Sequence, residues 1–332
     1  MQHSNQKSVV CIGGGTGTFV TLRGLKQFPL SIKAIVAMSD SGGSNKRIRD
    51  EFGLLPTSDL RQCLVALSDE NGGVGVLRKL FMYRFDKGKG ISGMTFGNLF
   101  MAALSDILGS QSEAIRQTSK ILRIRGSVIP VSYTNTNLVA SYEDGSVLEE
   151  EHFIDEPPHD GRLKITSISL KPKAIANPDA IEAITHADLI VLGPGDLYTS
   201  VIPNLLVESI VPALVRSKAK RVYVMNLMTK FGQTHEFTAL DHVNALEKYL
   251  GKSIDYVLIN TGSFSKKALE VYAKYHEKPV VDDVSKKSYY HVIHAPIVHS
   301  ILVKKTASDT LVRSLIRHDS KKLAEQLFTL ID

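Results

Sequence analysis

Five residues near the start of the chain, Gly13, Gly14, Gly15, Thr16 and Gly17, have the composition of an anion cradle. Without a Cβ, their backbone N–H groups can approach a phosphate closely, and the positive end of the following helix points to the same place. The spacing is not that of the dinucleotide fingerprint, because Thr18 stands where the third glycine belongs, and no Gly-Lys-Ser/Thr follows to complete a P-loop. A second turn of this kind lies in GPGDLYTS, where Gly193, Gly195, Asp196 and Leu197 lead into Tyr198 and Thr199, whose hydroxyls extend its hydrogen-bonding reach. Two phosphate-competent turns call for a diphosphate or a ligand in two parts.

Three further segments are rich in glycine, amide and hydroxyl groups. SDSGGSNKRIR offers Asp40 for a cation and Arg47 or Arg49 for a phosphate, and reads equally as a polar surface loop. In GMTFGNLFMAAL, Asn98 stands at a helix start, where an amide either reads a base or sugar edge or simply caps the helix. In MNLMTKFGQTHEF, Asn226 ends a strand while Lys230, Gly232, Gln233 and Thr234 fill the loop after it. Asp59 and Arg61 read as a cap and an exposed charge. His235 and His242 lack a tight ligand pair, and Cys11 and Cys63 are distant in sequence, which argues against zinc. No GxSxG elbow or comparable nucleophile motif is present.

The elements that must position these loops follow from periodicity. SVVCI, the glycine turn, FVTLRGLKQF and IKAIVAM read as strand, turn, helix and strand, a βαβ unit with the cradle at the carboxyl end of its first strand. From 58 to 125 the pattern is helical, with Ser58 or Asp59 as an N-cap and one long apolar-periodic stretch from Asn98 to Leu122. From 127 to 170 the residues alternate as in strands, and Asp144-Gly145 signals a hairpin. DLIVLGPG, RVYVMNL and DYVLIN then read as buried parallel strands, and KKLAEQLFTLI as a closing helix. The expected architecture is α/β, a doubly wound, mainly parallel sheet over residues 1–332 as a single domain, with a small antiparallel and helical subregion at about 127–170. In such a sheet the glycine-rich strand ends face one crevice.

Composition sets the outer limits. With 43% hydrophobic and 22% charged residues the chain is an ordinary globular one, and its net charge of +6 is scattered, which does not favour nucleic acid as a partner. The two cysteines sit on apolar faces as buried thiols, the signature of a reducing compartment. No run approaches the ~20 apolar residues of a membrane span, and MQHSNQKS lacks a signal-like apolar region. The expectation is a cytoplasmic protein.

Taken together, the segments resemble the family that joins the gluconeogenesis factors (YvcK-like, UPF0052) with the CofD-like 2-phospho-L-lactate transferases. The resemblance runs through GGGTGT, DSGGSNKRIR, SDLRQCLVALSD, FGNLFMAAL, ADLIVLGPGDLYTSVIPNLL, NLMTKFGQT with ALDHV after it, and RHD, and so covers nearly the whole chain. Its details lean to the gluconeogenesis-factor branch. It implies a Rossmann-like fold, a UDP-sugar such as UDP-N-acetylglucosamine as ligand, and a role in cell shape and cell-wall precursor balance during gluconeogenic growth. By motif, Gly13 to Gly17, Asn98, Gly193 to Thr199, Asn226, Lys230 to Thr234 and Arg317 of RHD would line the crevice. Two departures stand out. Asp40-Ser41 replaces the usual pair of aspartates, an acidic region that the transferase branch uses with its metal, and Gln233 puts an amide where the QPGET pattern has a carboxylate.

The reading that follows is a non-catalytic UDP-sugar-binding regulator that needs no cofactor and reports its ligand to an unknown protein partner or through a homo-oligomer. The alternative is a transferase moving a phospholactyl- or phosphoenolpyruvyl-type group from a nucleoside diphosphate carrier, with Mg2+ at Asp40. An NAD(P)-dependent oxidoreductase, third, lacks the glycine fingerprint.

Overall fold

Apolar runs without polar alternation, such as VVCI and LIVL, need cover on both faces, which a parallel sheet between helical layers provides. A computed structural model describes residues 6–284, 288–299 and 315–331; the first five residues of the polar N-terminal segment lie outside that set. In chain order the strands are β1 (Ser8–Gly13), β2 (Ser31–Val36), β3 (Ser127–Pro130), β4 (Asn137–Tyr142), β5 (Val147–Glu149), β6 (Ile165–Lys171), β7 (Leu189–Leu192), β8 (Lys220–Val224), β9 (Tyr256–Asn260) and β10 (His291–Ala295). Seven of them form one parallel sheet in the order β10-β9-β8-β7-β1-β2-β3, and the other three a small antiparallel sheet, β5-β4-β6.

The chain moves outward from β1 through β2 and β3, returns to the other side of β1 at β7, and continues outward to β10. The strand order reverses between β1 and β7, and a crevice opens beyond the carboxyl ends of strands at such a reversal. Both glycine turns sit there, Gly14–Gly17 after β1 and Gly193–Gly195 after β7. The central strands are buried along their length, and helix Gly15–Leu25 packs against helices Ser58–Leu67 and Ser320–Phe328 on one face. Cys11 and Cys63 are both buried and unpaired. No helix among the described residues is long and apolar enough to cross a membrane.

Several boundaries differ from those the sequence suggests. Strand β3, the first part of the 127–170 subregion, pairs in parallel with β2 at the sheet edge, so the antiparallel insertion comprises residues 137–171. The hairpin at Asp144-Gly145 forms, with Gly145 at a φ of +86°. The stretch from Asn98 to Leu122 is two helices, Phe96–Leu108 and Gln111–Ile121; Gly109 ends the first in the left-handed conformation and Ser110 caps the second through the Glu113 N–H. The N-cap of helix Ser58–Leu67 is Thr57, not Ser58 or Asp59, and the side-chain oxygen of Asn45 takes up the Thr57 and Ser58 N–H groups. KRIR lies within helix Gly43–Phe52 and not in a loop.

Candidate functional site

A cavity of about 620 Å³ opens at the reversal point, within the range of small-molecule sites. Its floor is the meeting of the two glycine turns. A Cβ on Gly17 would stand 2.1 Å from the Pro194 carbonyl oxygen, so only glycine allows the turns after β1 and β7 to touch. Gly15 adopts a φ of +63° and has little before it but the Asp59 carboxylate.

Asp59 accepts the Gly15 N–H, so a carboxyl group already sits on the glycine turn after β1. Burial, reinforced by the neighbouring charge of Asp40, pushes its pKa up to about 7. Burial also raises Asp40 and Glu151, and nearby carboxylates raise them further. Asp40 accepts the Gly42 N–H at 2.9 Å and an amide hydrogen bond from Asn45. Lys230 balances the other side: its ammonium donates to Asp155, on the insertion's short helix Glu151–Asp155, and to Asp196 at 2.6 Å. Burial alone would lower the Lys230 pKa; the two carboxylates overcome that and raise it.

A raised carboxylate pKa means that the fold prefers the neutral form. Its contribution to stability is complete while the unfolded chain is also protonated, below about pH 4, and is lost as pH rises through about 7. Asp59→Asn, a neutral isostere, is therefore expected to stabilise the protein at both pH 5 and pH 8, and more at pH 8 by on the order of 2–3 kcal/mol. Guanidinium unfolding at the two pH values checks this.

The profile of the family described as 2-phospho-L-lactate transferase CofD matches residues 9–298. The putative gluconeogenesis factor of Aquifex aeolicus is 41% identical over 331 residues, covering 98% of this chain and 97% of that protein. The gluconeogenesis factor of Bacillus subtilis is 39% identical over 331 residues, with coverages of 98% and 99%. The chain belongs to the gluconeogenesis-factor branch of the CofD family. A crystal structure of a UPF0052-family protein from Bacillus halodurans superposes with a TM-score of 0.88 at 38% identity, over 98% of this chain and 99% of that one.

In this CofD-family chain, Gly14, Gly15, Thr16, Gly17 and Asp40 line the cavity on the β1–β2 side, and Gly195, Asp196, Asn226, Lys230 and Arg317 on the other. The remaining residues singled out by sequence stand behind that wall. The Gly13 carbonyl accepts the Asn204 amide, and the Gly193 N–H donates to Ile12. Leu197 and Tyr198 are packed in the core. Gln233 donates to Asp155 at 2.9 Å and to Thr199 at 3.3 Å, so both residues support the carboxylate that pairs with Lys230. The Thr234 hydroxyl accepts the Lys230 N–H, and Gly232, at a φ of +93°, docks its N–H on Gly161.

Asn98 neither reaches the cavity nor caps its helix, a role that Thr95 fills. Its Oδ1 accepts from Arg61 Nε at 3.0 Å, and its Nδ2 donates to the Ser44 and Ser58 hydroxyls at 2.9 and 3.0 Å. Arg47 donates to the Gly90 and Ser92 carbonyls and Arg49 to Asn137, so neither sits in the cavity wall. His242 is buried on Thr238, and His235 lies against the Phe231 ring.

Sequence reasoning missed Asp59, Arg61, Glu151 and Asp155. For Arg61, expected to be an exposed charge and in fact only 4% exposed, the available signal was a helix opening beside the crevice. Glu151 and Asp155 carry only an i, i+4 spacing, which reveals nothing until the insertion docks. Asp40 does not fit as a self-sufficient magnesium anchor: its carboxylate already accepts two hydrogen bonds, and the described residues contain no group of three or more His, Cys, Asp or Glu arranged for a metal.

Proposed function

We propose that this chain binds a nucleoside diphosphate sugar, UDP-N-acetylglucosamine or a close relative, as a regulator of gluconeogenic growth, cell shape and cell-wall precursor balance in the cytoplasm. The observation that carries this reading is the contact of Gly17 with Pro194, which brings two glycine turns to one point at the sheet's reversal. Asn226 adds to it on the β8 side. Its Oδ1 is buried in the cavity wall and has no hydrogen-bond partner among the described residues, an acceptor suited to a base N–H or a sugar hydroxyl. The relatives named gluconeogenesis factors supply the cellular context. Ligand binding would be reported to a protein partner or to a second copy of the chain.

Calorimetric titration with UDP-N-acetylglucosamine, UDP, GDP and NADP, each with and without magnesium, tests the reading. Tight, metal-independent binding of the UDP-sugar is the expected result, and absence of binding by all four overturns it. A second reading, the transferase, is favoured by one feature: Asp40, Asp59 and Glu151 stand close to the cradle, where a diphosphate and one or two carboxylates together could hold a magnesium ion that neither holds alone. Magnesium-dependent preference for GDP would select it.

Gly15→Leu is expected to abolish UDP-sugar binding while the protein stays folded. The side chain would enter phosphate space, and the positive φ costs on the order of 1–2 kcal/mol, too little to unfold the domain. Calorimetry paired with a thermal melt separates the two effects, and unchanged affinity would remove the first turn from the site.

A further inference from the structure

Arg61 is 4% exposed, yet no carboxylate among the described residues lies within ion-pair distance of it. A buried guanidinium normally has an anionic partner, because its hydration is lost on burial. Its position is nevertheless fixed with care. Nε donates to Asn98 Oδ1 at 3.0 Å, and Nη1 reaches the Phe81 carbonyl at 3.4 Å and the Met82 sulfur at 2.9 Å. Asn98 is in turn pinned by Ser44 and Ser58, so a largely buried network holds the plane of the guanidinium. Nη2 has no hydrogen-bond partner among the described residues, and Arg61 lines the cavity.

A second cation stands beside it. Arg84 lines the same cavity, and its charge is the main electrostatic influence opposing that of Arg61 after burial itself. Two neighbouring guanidiniums repel each other unless an anion lies between them. Arg61 faces away from the cradle, although the Asp59 and Asp40 charges still reach it: Asp59 and Arg61, two residues apart on one helix, point about 200° apart around its axis, the first to the Gly15 N–H and the second to the wall made by helices Gly72–Phe81 and Phe96–Leu108.

We infer that Arg61 and Arg84 form a second anion subsite in the crevice, which receives a carboxylate or phosphate group distinct from the diphosphate on the glycine turns. The planar fork of arginine suits a two-oxygen anion, and the buried network behind Arg61 gives it the rigidity of a recognition element. The inference rests on the nucleotide reading for the ligand's frame. The second anion belongs either to the sugar end of the same nucleotide or to a separate small molecule.

Calorimetry on the full chain distinguishes these sources. One arm compares UDP-glucuronate with UDP-glucose, which differ by a single carboxylate; the other titrates UDP with and without inorganic phosphate. A gain of about tenfold in at least one arm is expected in the parent protein, and its loss in Arg61→Gln, whose affinity for UDP itself stays within about twofold. Should Arg61→Gln fail to fold in a thermal melt, Arg84→Gln is expected to lose most of the same gain. No gain in either arm, or a gain that survives both substitutions, overturns the subsite. Phosphate binding that depends on Arg61 without any UDP binding would retain it and remove the nucleotide reading, whereas UDP binding with both arms silent does the reverse.

Discussion

Gly17→Ala is expected to lower stability by about 3 kcal/mol, because the added methyl has nowhere to go. Its carbon would stand 2.1 Å from the Pro194 oxygen and 2.6 Å from the Pro194 carbonyl carbon. Both are backbone atoms of the turn after β7, so no rotamer change relieves the overlap. The turns must separate, and since β1 and β7 are the paired strands on either side of the reversal, the strain enters the centre of the sheet. A fall in melting temperature of several degrees, together with loss of nucleotide affinity, is the expected pair of results. Gly15→Leu, by contrast, is expected to lose affinity at the smaller stability cost of about 1–2 kcal/mol. A Gly17→Ala protein as stable as its parent would show that the two turns do not meet as described.

Lys230→Met is expected to cost about 2 kcal/mol and to loosen the insertion. The substitution removes the ammonium between Asp155 and Asp196 and leaves two carboxylates facing each other across the cavity wall. Breaking a fully buried pair costs about 3–5 kcal/mol; here the Asp196 side chain keeps 40% of its exposure, so water offsets part of the loss. Because Asp155 belongs to the insertion and Asp196 to the turn after β7, the lysine ties one unit to the other. Hydrogen exchange should rise in helix Glu151–Asp155 while the core of the parallel sheet stays protected. Adding Asp155→Asn to Lys230→Met should recover part of the stability, since one of the uncompensated charges is gone. Failure of the double variant to recover any would mean that the ion pairs are not what holds the insertion down.

Local chemistry in the sequence was sufficient for the parallel sheet, the glycine turn after β1 and the hairpin. Uninterrupted apolar runs require two covered faces, GGGTGT lets the chain turn closely from β1 into helix Gly15–Leu25, and Asp144-Gly145 can adopt the backbone a tight hairpin needs. The divided helix was also present, in Gly109 and Ser110, but an apolar period that continues across the break concealed it. Strand β3 alternates like its antiparallel successors, and only its pairing with β2 assigns it to the main sheet.

Other features were decided by tertiary structure alone, for a physical reason: they depend on which charged groups burial brings together. Asp59 reads as a cap in sequence, because nothing local shows that its helix starts beside Gly15. Asn98 reads as a ligand contact, because nothing local shows that Arg61 will lie against its carbonyl oxygen. The carboxylates of the insertion join the site only when Lys230, some 75 residues further along the chain, is brought to Asp155. Residue types and spacing thus determined the scaffold and its glycine turns, whereas the charges lining the crevice follow from long-range packing, whose contacts leave no periodic trace in the sequence.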